Sequence, residues 1–212
     1  MNTYYIVVAS TLFITLLSAL LSALLFSDYA KRKTLNYLFW GLGLALFALG
    51  TFIEALFAAG IYGALLAKFY LLIVAMLVVS LGEGSIMMLK SHAAKYAYSA
   101  FAIFSFMLMI YALAYSSIGN IVSNYIVYGV LPLPVVVASS IATFPASLVI
   151  IATALLSYLK THSRKMLSII LGVIVVSIAG TLYIVQFPVL LYYAEALGIV
   201  LLWIGFYSGR KK

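Results

Sequence analysis

A chain of 212 residues that is 67% hydrophobic and only 8% charged cannot cover a water-facing surface, since an ordinary soluble domain carries about 25% charged residues. Twelve Lys and Arg and four Asp and Glu are too few to solvate a fold of this size, so lipid is the natural solvent and a soluble protein is excluded. The absence of cysteine removes disulfides, thiol redox chemistry and thiolate metal sites.

Apolar runs of about 20 residues, the length that crosses a hydrocarbon core, predict an all-α polytopic membrane protein with seven transmembrane helices in a single domain, 1–212. The first span covers Tyr4 to Phe26. It lacks a basic leader and is too long for a signal core, so it is expected to remain as a span. The second covers Leu35 to Ala59, the third Ala64 to Leu89 and the fourth Ala94 to Tyr115. An interfacial segment from about Asn120 ends at Pro132 and Pro134. The fifth span then covers Val135 to Leu159, the sixth Met166 to Phe187 and the seventh Val189 to Tyr207, with Pro188 suited to the first turn of the last helix.

Basic residues fall in alternate connections: Lys31, Arg32 and Lys33, then Lys90 and Lys95, then Lys160, Arg164 and Lys165, then Arg210, Lys211 and Lys212. The intervening connections hold no charge. Basic short loops face the cytoplasm, which predicts an outside N-terminus and a cytoplasmic C-terminus in the cell membrane. The net charge of +8 is then a record of topology. It implies contact with anionic headgroups at the basic turns and no nucleic acid. Tyrosines near the outer span ends, Tyr192 and Tyr193 among them, and Trp40 and Trp203 near the inner ends read as interface anchors. Asp28, beside the first basic turn, reads as a surface charge.

Laying the stretch from Ala23 against that from Ala154 aligns Ala-Leu-Leu, Arg-Lys (32 and 33; 164 and 165), a glycine (Gly41; Gly172) and Gly-Thr (50 and 51; 180 and 181). The match predicts a parallel repeat of units 1–90 and 125–212 joined by a connector helix at about 94–115. Chance alignment of apolar sequence is the competing reading. A three, one, three arrangement resembles the layout of sugar-transporting SWEET-type proteins and, more loosely, of microbial rhodopsins. The resemblance stops at layout. The chain has no Pro-Gln dipeptide, and its seventh span has no lysine for a retinal Schiff base, so no cofactor is expected.

An ionisable side chain in a span costs about 2.5 to 3.5 kcal/mol at the membrane centre, which marks it as a candidate for function. Glu54, Lys68 and Glu195 all lie about 6 to 9 Å below the outer boundary, at about 1.5 Å per residue. Glu54 shares a helical face with Gly50 and Gly43, and Glu195 with Gly198 and Gly205, so both are expected to point into the bundle. They read as an outer site for a cation, proton or amine, with Lys68 tuning them and Gln186 nearby. The structural alternative has Lys68 snorkelling to the headgroups and the glutamates in ordinary pairs. Glu83, in Gly82-Glu83-Gly84-Ser85, reads as an inner station or as a partner of Lys90, His92 or the first basic turn. Pro145 kinks the fifth span, as a hinge or a fixed bend.

No HExxH, GxSxG or phosphate-loop pattern occurs, and the two histidines fall in turns, so neither an enzyme nor a metal site is expected. The residues favour a small transporter or channel moving a solute, ion or proton. A monomer or homo-oligomer goes with transport; the rival class is a non-catalytic membrane subunit or scaffold, whose buried charges meet partner helices packed at Ala19 and Ala23 or at Gly205 and Gly209. A seven-helix sensor without retinal is a third.

Overall fold

The computed structural model describes residues 3–123, 126–127, 130–162, 167–175 and 188–207. Among them the regular structure is helical except for one short hairpin. The helices are α1 (Thr3–Arg32), α2 (Leu35–Ala58), α3 (Ala64–Ile86), α4 (His92–Tyr115), α5 (Leu133–Thr161), α6 (167–175) and α7 (Pro188–Tyr207). Between α4 and α5, β1 (Val122–Ser123) pairs antiparallel with β2 (Ile126–Val127). Among the described residues five helices, α1 to α5, are long and apolar enough to cross a membrane. Their outward faces carry large apolar side chains such as Leu16, Leu65, Phe104 and Phe144. Such a surface is stable only against hydrocarbon, so the chain is a membrane-embedded protein.

Helix ends follow local chemistry. Lys31 and Arg32 occupy the last turn of α1, where cations meet the negative end of the helix dipole. Lys33 turns left-handed at φ 55°, and α2 begins two residues later, which forces the two helices antiparallel. Ser91 caps α4, its Oγ accepting from the Ala94 N–H at 3.3 Å. Relative to the apolar runs, α1 extends beyond Phe26 because its basic turn is itself helical. Asp28 is buried at 9% exposure, a correction to its reading as a surface charge: the extra helical turns carry it into the packed interface.

α3 lies at the centre, against α2, α4 and α5, while α1 packs on α2 and α7. Contact with α5 runs along Ala138, Ala142 and Ala146, each essentially fully buried, small residues one turn apart that let the helix axes approach. The two glycines around Glu83 do the same work on different sides. A Cβ on Gly82 would collide with the Tyr98 hydroxyl of α4, and one on Gly84 with the Trp40 indole of α2. Trp40 and Trp203 are therefore held within the bundle. The Trp40 Nε1–H donates to Ser85 Oγ at 3.3 Å and the Trp203 Nε1–H to the Leu17 carbonyl at 2.9 Å. In the second unit of the aligned repeat, Arg164, Lys165, Gly180 and Thr181 lie outside the described residues.

Candidate functional site

Glu54 sits one turn before the end of α2, and Tyr70 in the second turn of α3. The short connection between them brings the two side chains face to face, and the Tyr70 hydroxyl donates to Glu54 Oε1 at 2.6 Å. Tyr70 is held in place by an edge-on contact with Phe57, ring centroids 5.7 Å apart. Glu54 is 2% exposed, and its Oε2 is buried without a hydrogen-bond partner.

α7 supplies the opposite wall. Tyr192 and Glu195, three apart, share one helical face. Glu195 is buried, with its Oε2 also unpartnered. Tyr192 shares one buried cluster with Ala58 of α2, so Glu195 and Glu54 lie at the same end of the bundle. Tyr192 is 1% exposed, which corrects its reading as an interface anchor. Its neighbour Tyr193, on the other face of α7, is exposed. The distinction is helical phase, which span boundaries do not reveal.

The hairpin closes this end of the bundle. The Val127 N–H approaches the Tyr192 hydroxyl oxygen at 3.5 Å, while Ile118, Ile121 and Val127 are buried in the same cluster as Phe57 and Tyr70. What reads as an interfacial segment in sequence thus folds inward as a cover. Val7 of α1 and Ala58 of α2 pack against Tyr192 from the remaining side.

A file of hydroxyls leads away from the pair along α1. Thr11 and Ser18 are fully buried, Thr15 Oγ1 lies 2.8 Å from Thr51 Oγ1 of α2, and the Ser22 Oγ–H donates to the Gly41 carbonyl at 2.7 Å. Thr51 is one turn from Glu54. Spacings of four, three and four place Thr11, Thr15, Ser18 and Ser22 on one stripe. Ser18 Oγ has no hydrogen-bond partner.

The other candidates from the sequence stand elsewhere. Lys68 is half-buried and gives Glu54 no hydrogen bond, that role belonging to Tyr70. Glu83 lies about 20 Å further along α3, at about 1.5 Å per residue, where Ser99 Oγ–H of α4 donates to its Oε1. It therefore bonds across α3 and α4 and not to Lys90, His92 or the first basic turn. Pro145 lies within α5, which continues unbroken through it. Gln186 is outside the described residues. Sequence reasoning missed Tyr70, Tyr192 and the hydroxyl stripe. The stripe had a signal in its regular spacing, and Tyr192 had one in its three-residue offset from Glu195.

Among the described residues no group of three or more His, Asp or Glu side chains gathers. The donors at the pair are carboxylate and hydroxyl oxygens, which suit a proton or a hard cation. Comparison with known proteins returns no match to a family model, a curated protein or a solved structure.

Proposed function

We propose that the protein is a small seven-span transporter or channel that moves a proton or small cation through its helical bundle, with Glu54 and Glu195 as the binding site. The observation that carries this reading is two buried carboxylates at the same end of the bundle, each with an unpartnered oxygen. One ionised carboxylate in low dielectric already costs several kcal/mol. Two at one end of the bundle call for compensating positive charge, which a proton or bound cation supplies. Tyr70 positions Glu54, the hairpin shields one end against Tyr192, and the stripe from Thr11 to Ser22 provides oxygen ligands along the route. Loading the pair and releasing the charge is a binding and conduction step with no bond chemistry, so the protein acts without catalysis.

In this reading the chain lies in the cell membrane with its N-terminus outside and its basic turns on anionic headgroups, and units 1–90 and 125–212 form the repeat. Burial of both glutamates inside one chain favours transport over a scaffold, whose charges would meet partner helices. Reconstitution into liposomes tests the proposal. Proton and monovalent-cation flux should fall at least tenfold in Glu54→Gln and in Glu195→Gln with helical content retained. Unchanged flux in both variants would overturn it.

A further inference from the structure

Glu83 opens onto a second feature, separate from the pair. A crevice of about 500 Å³ runs between α2, α3 and α4, a volume within the usual range for small-molecule sites, about 300 to 1,000 Å³. Its two ends differ in chemistry. Glu83, Ser99 and, one turn along α3, Ser80 line one end, and Leu42, Met76, Phe106 and Met107 line the other. Glu83 stands three residues before the end of α3, so this polar end lies about 5 Å from the helix terminus. From Glu83 to Met76 the crevice follows α3 for about 10 Å toward the middle of the bundle. Leu42, Phe106 and Met107 are exposed, so the apolar part opens sideways to the lipid and not to water. Methionine on two walls, Met76 and Met107, adapts to chains of irregular shape.

The polar end is unsatisfied. Ser99 takes up Glu83 Oε1, while Oε2 is buried without a partner in a residue only 4% exposed. A carboxylate in this setting calls for a donor that brings positive charge. The shape demands that the same molecule carry an alkyl chain, because beyond Ser80 the walls are apolar and face hydrocarbon.

From this we infer that the crevice is a binding site for a single-chain cationic amphiphile drawn from the bilayer, its primary ammonium head on Glu83 and Ser99 and its chain along Met76, Phe106 and Met107. A fatty acid would set like charge against Glu83, and a fatty alcohol would leave the carboxylate uncompensated. The site is distinct from the Glu54 and Glu195 pair and stands whether or not that pair conducts.

The test uses the full chain in a neutral maltoside detergent with a nitroxide-labelled long-chain primary amine, read by electron paramagnetic resonance as a saturable immobilised component. Matched nitroxide-labelled alcohol and acid are the comparisons. The amine should bind at least tenfold more tightly than either. Glu83→Gln should weaken amine binding at least tenfold. Met107→Trp, which fills the lipid-facing mouth without touching Glu83, should weaken it as well. Phe104→Trp on the lipid face and Glu54→Gln at the other site should leave it unchanged. Equal binding of the three probes, or amine binding that survives Met107→Trp, would overturn the inference. So would amine binding lost in Glu54→Gln, which would place the amine at the other pair. Should Glu83→Gln fail to fold, the Met107→Trp result decides alone.

Discussion

Removing the Tyr70 hydroxyl takes away the hydrogen bond that Glu54 Oε1 receives. In Tyr70→Phe the ring and its edge contact with Phe57 persist, so packing changes little and the loss is electrostatic. The oxygen separation is 2.6 Å, inside the range of about 2.5 to 2.7 Å typical of a hydroxyl donating to a charged carboxylate. Neutral hydroxyl pairs cluster nearer about 2.7 to 2.8 Å. If Glu54 bears the negative charge of the proposed site, the compensating proton or cation falls to Glu195. A hydrogen bond to a charged group contributes about 1.5 to 3 kcal/mol, whereas interhelical hydrogen bonds within membranes average about 0.6 kcal/mol. The variant is expected to lose about 1.5 to 3 kcal/mol, measured by reversible unfolding in mixed micelles at neutral pH. The loss should shrink in a Glu54→Gln background, where the charge is gone. A loss no larger than the membrane average of about 0.6 kcal/mol, or one unchanged in that background, would refute the charge assignment.

Gly82→Ala drives a Cβ into the Tyr98 hydroxyl and is expected to destabilise by about 1 to 3 kcal/mol from overpacking. That outweighs the gain of about 1 kcal/mol in helix propensity. Part of the loss should return in a Tyr98→Phe background, seen in the same unfolding titration. Lys68→Gln should change stability by no more than about 0.5 kcal/mol and leave flux through the pair intact, because Tyr70 and not Lys68 bonds to Glu54. The natural chain has no cysteine, so single cysteines report sidedness cleanly: Tyr62→Cys should label from outside intact cells, and Lys160→Cys only after permeabilisation.

Much of the helical framework is legible in the sequence because hydrocarbon imposes a length and a composition on anything that crosses it. The apolar run from Leu35 to Ala59 matches α2 to within one residue, and the run from Ala64 starts where α3 starts. Glu54 and Glu195 were legible too, since burying a carboxylate in a span is costly enough to need a reason, and glycines on the same face pointed them inward. Gly82 and Gly84 announced close approach without saying by what. Tyr98 and Trp40 are the answers, and they come from two different helices.

Equal depth in the membrane suggested that Lys68 belonged with the two glutamates, but depth is one coordinate and helical phase is another. Two places along α3 the chain turns Tyr70 toward Glu54 and leaves Lys68 half-buried. Tyr192 and Tyr193 are adjacent in sequence and opposite in fate for the same reason. The sequence by itself determined that the chain lives in lipid and where its first five helices run, because those depend on the transfer free energy of each segment taken alone. Only the tertiary structure decided which tyrosines reach the carboxylates, that the hairpin folds over them, and that Glu83 faces a crevice of its own. Those depend on the rotation of each helix about its axis, which is set by packing against neighbours distant in the chain.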